Sequence, residues 1–173
     1  MGHLNVEIKA KCDDQASIRK MLLAKNAVSI GTDHQIDTYF VVPHGRLKLR
    51  EGSIENYLIH YQRPNQEGPK ESQVTLFQSP ANSTLKEVLT KALAPLAIVD
   101  KQREIYFVDN VKFHLDRVVN LGSFIEIEAI DRDDTLGKDK LQEQCHYYLK
   151  LFAIKESDLI AESYSDMVLN EIK

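Results

Sequence analysis

The chain has little of what most functional signatures need. Its two cysteines, Cys12 and Cys145, stand far apart in apolar patterns, so neither a metal-ligand spacing nor a dithiol motif is present. Two cysteines suffice for one disulfide, yet small buried thiols in a reducing cytoplasm are the expectation. Charge of one sign is also lacking. Lys and Arg number 22 against 26 Asp and Glu, a net charge of −4, which removes any global case for nucleic acid or an anionic membrane as partner. No apolar run approaches a membrane span. "MGHL" runs straight into the first strand pattern, without a basic start and apolar core, so no signal peptide is expected and the cytoplasm is the default location. "PHGR" holds a single glycine and reads as a turn, not a loop that cradles phosphate. With no repeat, low-complexity tract or linker, what remains is 173 residues, 43% hydrophobic and 28% charged. That describes one globular domain, 1–173, able to bury a sizeable core.

Period-2 stretches dominate what is there. They fall at 5–12, 35–42, 45–51, 56–63, 71–77, 98–108, 111–117 and 123–130, separated by turn-like "PHG", "NQEGP", "DN" and "NLG". Short connections imply antiparallel pairing. Helical spacing appears at 14–26 behind Asp13 and Asp14, and at 82–93, where Thr84 and Glu87 form a potential capping box. It recurs at 136–152, with Leu141, Cys145, Tyr148, Leu149 and Phe152 in one stripe, and at 156–169, starting near Ser157 or Asp158. The fold class is therefore α+β.

The charged faces of three strands, in "RLKLR", "KQR" and "EIE", are unusual in carrying one sign, whereas the first strand mixes both. "NVEIKAK" alternates Asn5, Glu7, Lys9 and Lys11 with Val6, Ile8 and Ala10. "GRLKLRE" puts Arg46, Lys48 and Arg50 on one face; Lys101 and Arg103 share another. Arg63 falls on the face of Tyr57, Ile59 and Tyr61, His114 shares a face with Asp116, and Glu126 with Glu128. Solvated faces of a sandwich alternate in the same way. But like charges two apart repel unless something compensates. A basic strand facing an acidic one does so, as does a polyanion with a metal ion between them.

This pattern predicts a closed eight-stranded antiparallel β-barrel with a polar lumen, its apolar faces turned outward under amphipathic helices. Glu7, Asp116, Glu126 and Glu128 are then hard oxygen donors of the kind Mg²⁺ or Mn²⁺ prefers. Lys9, Lys11, Lys48, Arg50, Arg63, Lys101 and Arg103 are donors for phosphate oxygens. A triphosphate bridged by a divalent ion suits such a box.

From "NVEIKAK" through "RLKLRE", "KQREIYFV" and "HLDRVVNLGSFIEIE" to "SYSDM", the sequence resembles the CYTH family, the triphosphate tunnel metalloenzymes. The resemblance implies an eight-stranded tunnel and a metal-dependent enzyme acting on a small triphosphate: ATP, thiamine triphosphate or tripolyphosphate. It places the metal at Glu7, Asp116, Glu126 and Glu128, and the substrate phosphates at Lys9, Lys11, Lys48, Arg50, Arg63, Lys101 and Arg103. The family signature Glu-x-Glu-x-Lys reads Asn5-x-Glu7-x-Lys9 here, so the first carboxylate is an amide, which can offer an oxygen but no charge. Asp37 and Tyr39 in "DTYF" resemble a position near the tunnel. Ser163–Asp166 either seals a tunnel mouth or ends a helix.

The leaning is toward the class IV adenylyl cyclase branch, converting ATP to cyclic AMP and pyrophosphate, although the "HF" pair typical of that branch is absent from its expected spacing. A tripolyphosphatase or thiamine-triphosphatase-like hydrolase is the alternative, and a non-catalytic nucleotide or polyphosphate receptor, motivated by Asn5, the second. A homodimer is among the assemblies the resemblance allows.

Overall fold

A computed structural model describes residues 2–172. Eight strands close into an antiparallel barrel: β1 (Gly2–Lys11), β2 (Val28–Phe40), β3 (Arg46–Gly52), β4 (Tyr57–Gln62), β5 (Lys70–Gln78), β6 (Pro95–Val108), β7 (Val111–Val118) and β8 (Gly122–Asp131). Their order around the barrel is β1-β5-β4-β3-β2-β6-β7-β8, with β8 pairing back to β1. The helices are α1 (Gln15–Ala24), α2 (Leu85–Ala92), α3 (Gly137–Leu151) and α4 (Tyr164–Glu171).

The main hydrophobic core lies outside the barrel wall. Val6, Ile8, Phe113, Leu115, Ile125 and Ile127 turn outward from β1, β7 and β8. They meet Ile18 and Leu22 of α1 and Leu141, Cys145, Tyr148 and Phe152 of α3. Burying the apolar faces there, at roughly 25 cal/mol per Å², leaves the charged faces to the lumen. Phe113 anchors the seam, edge-on to Tyr148 at 4.6 Å. Both cysteines are free; Cys145 is buried and its thiol donates to the Val6 carbonyl at 3.3 Å. The helix α2 carries the same amphipathic pattern but buries none of its residues. No helix among the described residues is long and apolar enough to cross a membrane.

Three local expectations are corrected. The strand expected from residue 35 starts at Val28, because Gly31 (φ +127°) carries a bulge opposite β6 across which the segment keeps pairing. At 82–93, Thr84 is the N-cap of α2, yet its side chain makes no capping bond. The helix expected over 156–169 is instead a single 3₁₀ turn, Glu156–Asp158, then an extended stretch, then α4. Leu159 bridges Ala10, and the Ile160 N–H donates to the Lys9 carbonyl at 2.9 Å. That extension is stable because Ser163 and Asp166 form a complete capping box that starts α4 afresh.

Candidate functional site

Residues opposite each other in a ladder share a face, so register decides which charges meet. Glu7 faces Glu128 and Lys9 faces Glu126 across β1 and β8. Asp37 faces Arg50 and Tyr39 faces Lys48 across β2 and β3. Arg103 faces Asp116 across β6 and β7, and His114 faces Glu126 across β7 and β8. All point inward, around a lumen cavity of about 480 Å³. Lys9, Lys48, Arg50, Arg63 and Arg103 line it together with Glu7, Glu126 and Glu128; β1 contributes both Glu7 and Lys9.

Two ionic clusters organise the walls. The first surrounds Asp37, which accepts two bonds from Arg50, both at 2.9 Å, one from Lys48 at 3.0 Å and one from Lys101 at 2.7 Å. Burial works against the Asp37 charge, but Arg50, Lys101 and Lys48 outweigh it and hold the carboxyl well below the usual range. The second surrounds Glu126, contacted by Arg103 at 2.8 Å, His114 at 3.1 Å and Lys9 at 3.5 Å. Burial and the Arg103 charge push His114 down to about 3, so its ring is neutral and Nδ1 donates to Glu126, leaving Nε2 buried and unpartnered. Glu7 pairs with Arg63 at 3.1 Å.

Glu128 behaves differently. Burial, opposed by Lys112 and reinforced by the charges of Glu7 and Glu126, pushes its carboxyl up to about 7. Among the described residues its hydrogen-bond partner is Asn5, whose amide donates to it while the Asn5 carbonyl oxygen stays buried without a partner. Asn5 thus serves Glu128 as a hydrogen-bond donor.

Not every expected residue reaches the cavity. Lys11 is exposed at the end of β1. Lys101 lies beneath the lining, fully buried against Asp37, and burial pushes its ammonium down to about 7. Asp116 also lies beneath the lining, held by Arg103 at 2.6 and 2.7 Å and by the Tyr164 hydroxyl at 2.7 Å. Of the expected set, these three lie off the cavity surface: a strand end and two covered positions share the parity of the lumen without lining it. Among the described residues, no three His, Cys, Asp or Glu side chains stand together as a group able to hold a metal ion. Yet Glu7 and Glu128 sit directly opposite in the ladder, with Glu126 on the same wall. These carboxylates are hard oxygen donors on adjoining strands, so by donor chemistry the wall fits a hard divalent ion, which would compete there with Arg63, Arg103 and Lys9.

Other lining residues were not anticipated. Glu55, from the β3–β4 turn, and Lys112, at the start of β7, meet inside the barrel. Glu55 sits in "GSIENY", a turn-like string with no periodicity to aim it, and Lys112 shares the parity of His114 and Asp116, which was the available signal. One end of the lumen is crossed by residues 159–164: the Glu162 carbonyl accepts from Lys9 at 3.1 Å, and the Lys9 ammonium lies 3.8 Å from the Tyr164 ring centre. So Ser163–Asp166 both starts a helix and lies at a tunnel end. The opposite rim carries Tyr57, Leu76, Phe107 and Ile130, with His3 and Arg132.

The chain matches the CYTH domain family over residues 3–164. A Methanocaldococcus jannaschii protein named "putative adenylate cyclase" is 26% identical over 177 residues, covering 95% of this chain and 98% of that protein. The structure of a Pyrococcus horikoshii protein superposes with a TM-score of 0.79 at 22% identity, covering 95% of this chain and 99% of the other. A Hippeastrum protein, described as a "putative adenylyl cyclase" that reveals a dominant triphosphatase activity, superposes with a TM-score of 0.59 at 12% identity, covering 93% and 91%. These two structural likenesses establish the fold. With a closed eight-stranded barrel, a lumen lined by charges of both signs and a family match over nearly its whole length, this chain belongs to the CYTH domain family.

Proposed function

We propose that the chain binds a triphosphate chelated to a divalent cation inside the barrel and acts as a class IV adenylyl cyclase, converting ATP to cyclic AMP and pyrophosphate. The observation that carries this is one enclosed cavity lined by both kinds of group: the cations Lys48, Arg50, Arg63 and Arg103 and the carboxylates Glu7, Glu126 and Glu128. The named cyclase relative, alike over 95% of the chain, supports the choice of reaction, and the aromatic and apolar rim at Tyr57 and Phe107 supports an organic substrate end.

In this reading Glu7, Glu126 and Glu128 hold Mg²⁺ or Mn²⁺, which when bound neutralises charge developing on the phosphates. The chain's own cations do the rest. Lys48 and Arg63, at the cavity surface, bind phosphate oxygens and orient the α-phosphorus toward the ribose 3′-hydroxyl. Arg103, fixed by Asp116 and Glu126, presents a preorganised charge to the leaving pyrophosphate. The second reading, a triphosphate hydrolase, uses the same walls with water as nucleophile. It is favoured by the triphosphatase activity of the Hippeastrum protein of like fold.

Incubation with ATP, thiamine triphosphate and tripolyphosphate, each with Mg²⁺ or Mn²⁺, tests both. Cyclic AMP plus pyrophosphate is the expected product. Orthophosphate would replace the cyclase reading by the hydrolase. Tight binding without turnover would remove the enzyme and leave a receptor.

A further inference from the structure

The turn between β3 and β4 does more than join two strands. Asp33, fully buried, accepts hydrogen bonds from the Ser53 hydroxyl at 2.9 Å, the Ile54 N–H at 2.9 Å and the Glu55 N–H at 3.0 Å. Asn56 clips the turn from its other side, donating to the Gly52 carbonyl at 2.8 Å. At Gly52 a Cβ would lie 2.6 Å from an Asp33 carboxylate oxygen, so only glycine admits this close approach. The turn is pinned, and Glu55 is aimed into the lumen.

There Glu55 accepts from Arg50 Nη1 at 3.0 Å and from Gln35 at 3.1 Å, and pairs with Lys112. Its side chain is 14% exposed, and both cations line the cavity. Burial opposes its ionisation, but Arg50 and Lys112 overcome that and keep it anionic. Arg50 already has a bidentate partner in Asp37, so Glu55 is a second carboxylate on it. A hairpin has no need to bury a carboxylate, which is costly unless paired. Cations arranged for a polyanion, in contrast, repel one another while the polyanion is away.

We propose that Glu55 is a resident counter-anion, an internal rival that a polyphosphate must displace from Arg50 and Lys112. This rests on the triphosphate-binding reading above. Glu55 lies toward the rim opposite residues 159–164, so the competition falls at that end of the lumen. Glu55 stabilises the unliganded cation pair and lowers the affinity for any anion that reaches it, so short or weakly charged anions are rejected.

Calorimetric titration with inorganic tripolyphosphate and Mg²⁺ provides the test, comparing the parent chain with Glu55→Gln and Glu55→Asp. Glu55→Gln is expected to bind about tenfold tighter or more, the effect of freeing one charged contact. Glu55→Asp, which keeps the charge but shortens the arm, should tighten binding less and supplies the answer if the Gln variant fails to fold. Lys112→Ala should weaken binding more in the Glu55→Gln background than in the parent, a coupling that a merely structural Glu55 would not produce. If the parent binds tripolyphosphate and neither variant binds tighter, the rivalry is wrong while the triphosphate reading stands. If no form binds, both are wrong.

Discussion

Arg103 closes on Asp116 with two parallel hydrogen bonds, Nε to Oδ1 at 2.7 Å and Nη2 to Oδ2 at 2.6 Å, and neither side chain is more than 3% exposed. The pair is set by register, since these residues are direct neighbours across β6 and β7. Removing one member of a buried pair leaves the other charged and uncompensated. Arg103→Ala should therefore cost about 3–5 kcal/mol of stability, measured by urea unfolding. A loss below about 1 kcal/mol would show that Tyr164 and solvent can satisfy Asp116 unaided.

Lys48 and Lys11 both lie on lumen-parity positions, but only Lys48 lines the cavity. Lys48→Ala is expected to weaken triphosphate binding by about 1.5–3 kcal/mol, the worth of one charged hydrogen bond. Lys11→Ala should leave binding unchanged. Equal losses in the two variants would mean that affinity reflects overall charge, not the enclosed wall.

For the acidic wall, Glu126→Gln and Glu128→Gln together should abolish metal-dependent turnover while the far-UV circular dichroism stays that of the parent. Unchanged activity in the double variant would remove these residues from metal binding.

Glu128 also sets a pH dependence. Burial raises its carboxyl from 4.5 to about 7 in the folded chain, so between these values the native state holds a proton that the unfolded state has released. Stability accordingly falls as pH rises through this window, and the loss is complete above 7. At roughly 1.4 kcal/mol per unit the full effect is at most about 3.5 kcal/mol. With chelator present, Glu128→Gln should match the parent near pH 4.5 and exceed it in Tm at pH 8. An advantage of the same size at both pH values would contradict this assignment.

Much of the architecture was legible because alternation is local. A strand's two faces follow from neighbouring residues alone, so the inward sides of "NVEIKAK", "RLKLR" and "SFIEIEAI" could be named before any pairing was known. The missed half of β2 shows the limit: "VSIGTDH" alternates Val28, Ile30 and Thr32 as a strand does, but Gly31 interrupts it, and the pairing with β6 across that bulge is what makes it one strand with 35–40. The 156–169 segment failed for a similar reason. Its helical spacing yielded to a bridge with β1, a contact separated from it by most of the chain.

The sequence by itself determined that the charges fall on single faces, that three of those faces carry one sign and that a closed barrel is the economical way to use them. Only the tertiary structure decided which of those charges meet a ligand and which meet each other. Parity gives direction but not depth or partner. Lys101 and Asp116 share the parity of the cavity wall yet are consumed by Asp37 and Arg103, while Glu55, on a turn with no parity at all, is carried into the lumen by four hydrogen bonds to Asp33, one from Gln35 and three from the turn itself. Such pairings depend on strand register and on one buried carboxylate distant in the chain, and these are fixed when the barrel closes.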